Sequence, residues 1–227
     1  MAEGTTHLHF DGIGTYIEVP SSPDFSVTTT GELTVSARMR PETLSFASAE
    51  GSGYVHWLGK GEKGQYEWTF RMYSEDNSEG RGNRISFYVF NPTGGLGTGS
   101  HFQDTLEPGQ WIHVVGAADT HRTYIYRDGI RRDSDVYAGK ITPHAGNAPL
   151  RIGTRDLNSF FQGEISEVRL WNRLLSDSEV ADLFNAGIAP AQGLVAEYLL
   201  TQDIAPDSAG RHNGVIHAPS WLPDTGP

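Results

Sequence analysis

GEISEVRLWNRLLSDSEVADLFNAG, residues 163–187, carries two periodicities in succession. From Glu164 to Trp171 the residues alternate, with Ser166, Val168 and Leu170 on one face and Ile165, Glu167, Arg169 and Trp171 on the other, the pattern of a strand. The period then changes. Ser176 precedes an apolar repeat at Val180, Leu183 and Phe184, spaced i, i+3, i+4 as on one face of a helix. Ser176 and Glu179 have the spacing of a capping box, in which a hydroxyl and a carboxylate each satisfy an orphan backbone donor. Leu175 and Val180 are placed to form a hydrophobic staple, and Gly187 follows where a left-handed residue ends a helix. The stretch predicts a strand, a tight corner and one short helix near residues 177–186.

Outward from this stretch the chain reads almost entirely as strands. Leu33, Val35, Ala37 and Met39 alternate with Thr34, Ser36, Arg38 and Arg40 before Pro41. Tyr66, Trp68, Phe70 and Met72 share one face, with Glu67, Thr69, Arg71 and Tyr73 on the other; Ile85, Phe87 and Val89 oppose Ser86, Tyr88 and Phe90. Residues 111–117 and 122–127 are two more strands, and Asp128-Gly129 is a strong two-residue hairpin signal. Residues 6–10 and 16–19 read as a pair around a hairpin-type turn, Asp11-Gly12-Ile13-Gly14. Residues 54–58, 150–154, 194–200 and 213–217 are shorter strands. Pro20–Thr30, Ser45–Gly53 and Ser74–Asn83 read as loops, and the glycine-rich NPTGGLGTG, residues 91–99, as a flexible connector. With no internal repeat or low-complexity segment, one domain over 1–227 is expected.

Composition narrows the function. The net charge of −11 and pI near 5.2 argue against nucleic acid and anionic membrane surfaces, where affinity comes from neutralising phosphates. There is no cysteine, hence no disulfide and no thiol chemistry. No charged-then-apolar leader opens the sequence and no apolar run reaches membrane length, so no membrane insertion is expected.

Several motifs occur in the order found in one group of proteins. GEISEVRLWN with S-x-x-E behind it resembles G-x-I-D-E-V-R-x-W-N in the laminin G-like and pentraxin-like members of the concanavalin A-like superfamily, with Ser166 where Asp is usual. LHFDGIGTYIEV resembles their F-D-G opening. WIHVVGAADTHRTYIYRDG resembles W-x-H-V-A followed by L-Y-V-D-G, with Arg127 replacing Val. GLVAEYLL, then DSAGRHNG and a terminal Trp-Leu-Pro, resembles their closing element. The resemblance covers nearly the whole chain. It implies an all-β fold, a two-sheet antiparallel jelly-roll sandwich with that single helix. It also implies a module of a larger secreted or cell-surface protein, joined to other domains of its parent chain.

In a sandwich, alternate side chains face the core. If Trp68, Phe70, Met72, Ile85, Phe87 and Val89 are inside, Glu67, Arg71, Tyr73, Tyr88 and Phe90 are outside, and by the same logic Tyr124 and Tyr126. Sugar rings stack their C–H faces on aromatic rings, and their hydroxyl rims accept and donate hydrogen bonds with Arg and Glu. These seven are therefore the candidate carbohydrate-binding residues. Aromatic residues also favour strands for their own sake and pair across them, which is the competing reading. The resemblance allows one structural calcium ion, with Asp11 and Asp156 as candidate ligands; a turn Asp bonding its own backbone is the alternative for either. The acidic run that completes a pentraxin calcium loop is missing, since Arg155 and Leu157 flank Asp156. His7 and His9 are spaced to chelate a transition metal, with no third ligand evident, and His113 reads as a packed strand histidine.

No catalytic motif is found. The superfamily's glucanases carry E-x-D-x-x-E, which this sequence lacks. Glu164 and Glu167 are three apart, a spacing that points them to opposite faces of a regular strand. Ile112-His113 is a fragment of the Q-I-H block of lyases on a similar sandwich. The expectation is a non-catalytic, lectin-like module binding an oligo- or polysaccharide. The alternatives are a protein-binding adhesion module, and a glycoside hydrolase or polysaccharide lyase.

Overall fold

Alternating apolar residues are buried on one side of a strand only if a second sheet covers that side, and the chain satisfies this with two stacked antiparallel sheets. The computed structural model describes residues 6–46, 53–200, 205–218 and 220–223. In chain order the strands are β1 (Thr6–Asp11), β2 (Tyr16–Val19), β3 (Leu33–Pro41), β4 (Tyr54–Lys60), β5 (Trp68–Tyr73), β6 (Arg84–Asn91), β7 (Gly94–Gln103) and β8 (Ile112–Ala118). They continue with β9 (Arg122–Arg127), β10 (Ile130–Val136), β11 (Leu150–Ile152), β12 (Gln162–Trp171), β13 (Leu194–Leu199), β14 (Val215–His217) and β15 (Ser220–Pro223). One sheet has eight strands in the order β10-β9-β8-β3-β12-β1-β15, with β13 also paired to β12. The other has seven, β14-β2-β11-β4-β5-β6-β7. The core between them holds the expected alternating sets, among them Leu33, Val35, Ala37 and Met39 from β3, Trp68, Phe70 and Met72 from β5, and Ile85, Phe87 and Val89 from β6.

Gly116 of β8 packs directly against aromatic rings of the facing sheet. A Cβ there would stand 2.4 Å from the Phe87 ring and 2.7 Å from that of Phe70. Gly116→Ala overpacks this layer and is expected to lower the unfolding free energy by about 1–3 kcal/mol, read from urea denaturation.

The connections depart from the expectations in three places. β1 and β2 are not a hairpin: β1 pairs with β12 and β15 in one sheet, β2 with β11 and β14 in the other. Asp11 makes the crossing, its Oδ1 accepting the amides of Ile13, Gly14 and Thr15 at 2.8–2.9 Å. The Pro20–Thr30 segment is not merely a loop. It holds a 3₁₀ turn, Pro23–Phe25, and a one-turn helix, α1 (Val27–Thr30), and delivers Phe25 to the core. The Asn91–Gly99 connector is largely strand, being most of β7, paired along β6. Residues 47–52 of the predicted Ser45–Gly53 loop lie outside the described residues.

β12 contains a correction that alternation could not supply. Its pairing with β3 shifts between Ile165 and Glu167, leaving Ser166 as an extra residue, a β-bulge. Ile165 then faces the core opposite Met39, and Val168 opposite Ala37. The same shift places Glu164 and Glu167 on one outward face, opposite Arg40 and Arg38, not on opposite faces. Arg40 holds the Glu164 carboxylate, and Arg169 holds that of Glu167 at 3.0 Å.

The helix α2 (Asp177–Ala186) forms as its caps predict. Ser176 accepts the Glu179 amide, Glu179 accepts the Ser176 amide, and Gly187 is left-handed at φ 65°. Leu175, Val180 and Leu183 pack with Trp171, Val115 and Tyr126 on the outer face of the eight-stranded sheet. Phe184 departs from the expected apolar face: it is 45% exposed and stacks on His113. His113 is otherwise the packed strand histidine expected, bonded to Ser36 Oγ at 2.8 Å.

The Arg173 guanidinium, bonded to both Glu179 oxygens at 2.6 and 3.0 Å, holds that carboxyl at about 2, with the Ser176 amide adding to the effect. A carboxyl depressed on folding contributes stability above its unfolded value near 4.5 and loses it as pH falls toward 2. Glu179→Ala is expected to cost about 1 kcal/mol near neutrality. The difference from the parent should shrink between these two pH values in thermal melts.

Candidate binding cleft

The outward face of the seven-stranded sheet carries an open cleft of about 420 Å³, lined by residues of β4 to β7, of the loops that join them and of the loop after β11. Its floor is built around Arg71, which is 6% exposed. The Arg71 Nε donates to His56 Nε2 at 3.0 Å and Nη1 donates to the Tyr73 hydroxyl at 2.9 Å. Its guanidinium carbon lies 4.3 Å from the Tyr54 ring centroid, 5.4 Å from Tyr88, 5.6 Å from Tyr73 and 5.9 Å from Phe90. Alternation explains the set. Tyr54 pairs with Tyr73 and His56 with Arg71 across β4 and β5, so all four fall on the outward side.

Arginine donates only, so His56 Nε2 must be the acceptor and Nδ1 carries the proton. Burial, reinforced by Arg155 and Arg71, pushes the His56 pKa well below its usual range and keeps the ring neutral. Tyr73 takes a second guanidinium bond, from Arg81 at 3.2 Å. Burial works to raise the Tyr73 phenol, but Arg71 and Arg81 outweigh it and its pKa is lowered.

A short loop supplies one wall. Gly153, at φ 92°, donates to Trp57 O and accepts from Phe161 N, both at 2.8 Å. A Cβ at Gly153 would meet the Phe10 ring at 2.3 Å, so only glycine can turn the chain here. The loop it begins carries Arg155 and Asp156. Arg155 lies over both the Tyr66 and Phe90 rings, 4.4 and 5.0 Å from their centroids, and donates to Asp156 Oδ2 at 2.5 Å. Its Nε and Nη1 are buried with no hydrogen-bond partner among the described residues.

The far wall explains the glycine-rich run. A Cβ at Gly94 would lie 2.9 Å from the Tyr66 ring, and one at Gly97 2.6 Å from the Phe90 ring. β7 is a strand stripped of side chains where its neighbours' aromatic rings lie over it.

The seven predicted binding residues do not converge. Arg71, Tyr73 and Phe90 line the cleft, and Tyr88 lies behind Arg71. Glu67 does not reach the opening. It forms a buried ion pair with Lys60 and accepts the Gly146 amide at 2.8 Å, fastening the loop before β11. Tyr124 and Tyr126 belong to β9 in the other sheet. Tyr126 is buried beneath α2 with its hydroxyl on Asp177 at 2.9 Å, and Tyr124 bonds Asp119 at 3.1 Å. Together they line a separate hollow of about 450 Å³. Alternation assigns a residue to the inside or outside of a sandwich but not to one of its two outsides.

Tyr54, Tyr66, Lys63, Arg81 and Arg155 were not predicted, although all five line the cleft. The available signal was the GKGEKGQY run ahead of β5 and the basic residue beside Asp156.

Neither candidate metal ligand fits a calcium ion well. Arg155 occupies the Asp156 carboxylate, whose side chain is 2% exposed. Asp11 Oδ1 is filled by its own turn, and among the described residues no group of three His, Cys, Asp or Glu could hold a metal. His9 is bonded to Glu42 at 3.0 Å, and the His7 side chain lies outside the described residues.

Lys60 is fully buried and Glu67 nearly so. Glu67→Gln leaves that cation without its counter-charge and is expected to lower the unfolding free energy by about 3–5 kcal/mol. Chemical denaturation of the variant measures this directly.

No curated protein sequence matches the chain. Among solved structures, a candidate carbohydrate-binding protein from Bacteroides ovatus aligns with a TM-score of 0.68 at 18% identity. That alignment covers 99% of this chain and 61% of the other, so the chain spans about three-fifths of its length. A heptameric SAP-like pentraxin from Limulus polyphemus aligns with a TM-score of 0.62 at 16% identity over 95% of this chain and 96% of that one. These likenesses establish the sandwich, and among the described residues no helix is long and apolar enough to cross a membrane. The laminin G model described as the concanavalin A-like lectin/glucanases superfamily matches residues 11–181, and the chain belongs to that family.

Proposed function

We propose that this chain is a carbohydrate-binding, lectin-like module that takes a saccharide into the cleft over β4–β7. The observation that carries the reading is the lining itself. Tyr66 offers a half-buried ring to the C–H face of a sugar beside the largely buried rings of Tyr54, Tyr73 and Phe90, and the guanidinium groups of Arg71 and Arg81 stand beside it as hydrogen-bond donors. An open, preformed cleft with aromatic walls and a few convergent polar groups is the usual form of such a site. The superfamily membership and the description of the Bacteroides ovatus neighbour agree with it. A place within a larger secreted or cell-surface protein is part of the same proposal.

Binding on a glycan array, followed by titration of the strongest hit, tests the assignment of the face. Tyr66→Ala removes one stacking partner at the half-buried rim and should weaken binding about tenfold, the equivalent of roughly 1.4 kcal/mol. Tyr124→Ala, on the opposite sheet, should leave affinity unchanged. The reverse result moves the site to the hollow beside α2. Because Arg155 sits on the Asp156 carboxylate, a calcium chelator is expected to leave binding unaltered.

A further inference from the structure

We propose, resting on the saccharide reading above, that the cleft selects acidic saccharides, holding a carboxylate or sulfate group of the sugar with Arg71, Arg81 and Lys63. The chain as a whole carries −11, yet the charged residues lining this cleft are Lys63, Arg71, Arg81 and Arg155 against the single acid Glu79. Glu79 is 3.2 Å from Arg81, and Asp156 answers Arg155. That leaves Arg71 and Lys63 unanswered: among the described residues neither forms an ion pair.

Arg71 makes this an argument about burial rather than surface composition. A guanidinium taken almost wholly out of water is ordinarily retained with a carboxylate partner. Here its partners are a neutral imidazole, a phenol and the faces of four rings. Aromatic faces offset part of the desolvation cost of a cation, but they supply no counter-charge. Arg155, although its Nη2 is paired with Asp156, also keeps Nε and Nη1 buried with no acceptor among the described residues.

Two guanidinium groups from different segments, Arg71 on β5 and Arg81 on the following loop, converge on one oxygen, that of Tyr73, at 2.9 and 3.2 Å. Charged donors gathered around a shared acceptor form a preorganised site for an oxyanion, since planar forks match carboxylate and sulfate geometry. A neutral sugar would need no such charge, because its hydroxyl groups are satisfied by uncharged donors.

The test is a glycan array of matched pairs, comprising uronate oligosaccharides and their methyl esters, sulfated glycans and their unsulfated parents, and sialylated glycans and their asialo forms. Calorimetry on the strongest pair follows, at low and high sodium chloride. The expected result is that the acidic member binds at least tenfold tighter, that salt erodes the advantage, and that Arg81→Gln weakens the acidic member severalfold more than the neutral one, so that most of the ratio between them is lost. Arg81 is only half-buried, so the variant should fold, and a circular dichroism melt verifies this. Retention by Arg81→Lys of more of the preference than Arg81→Gln identifies the charge as the cause. If glycans bind but the two members of each pair bind alike, acid selectivity fails and the saccharide reading stands. An acidic preference that survives both Arg81→Gln and Lys63→Gln also overturns the proposal. If no glycan binds, acidic or neutral, both readings fall together.

Discussion

A guanidinium buried among aromatic rings without a carboxylate is the constraint around which the outward face of the seven-stranded sheet is arranged. Arg71 cannot shed its charge, and its side chain has little contact with water. Every neighbour is therefore of a kind that tolerates a cation: the tyrosine and phenylalanine rings, a neutral His56 and the Tyr73 oxygen. The low basicity of His56 follows from its burial, reinforced by Arg155 and Arg71, and the lowered pKa of Tyr73 follows from Arg71 and Arg81 outweighing its burial. The site's electrostatics thus come from three guanidinium groups, those of Arg71, Arg81 and Arg155, held close to buried titratable groups.

The rest of the architecture holds that face still. The buried Lys60–Glu67 pair fastens the loop before β11, and the Gly153 turn fixes the direction in which Arg155 enters. On the opposite sheet α2 covers Trp171 and Tyr126 and closes a second, smaller core. The two outward faces have become unlike. One is occupied in its middle by a helix, the other is left open as an aromatic and basic cleft.

Much of this was legible in the sequence, and what was missed has identifiable causes. The capped helix at 177–186, the core sets of β3, β5 and β6, and the family were readable because each rests on local spacing. The outward direction of Arg71, Tyr73 and Phe90 was readable for the same reason. Local spacing fails where one residue is added, as at Ser166, whose bulge reverses the face of everything before it. It fails where successive strands enter different sheets, as at Asp11. It also cannot say that β9 lies on the far side of the molecule from β5, so Tyr124 and Tyr126 were grouped with residues they never approach. Arg155 was seen only as a neighbour of Asp156, because its place over the cleft depends on a turn that only Gly153 permits.

The stripped strand β7 has a consequence for how such a site can change. Gly94 and Gly97 bear on the rings of Tyr66 and Phe90, and neither glycine has a side chain to offer a bound molecule. The aperture is therefore set by positions that are chemically silent. Enlarging either glycine would force the ring it touches to shift and so reshape the opening, without changing the chemical identity of any group that lines it. Aperture and chemistry are thus separately adjustable in this protein, one through the backing strand and the other through the residues in front of it.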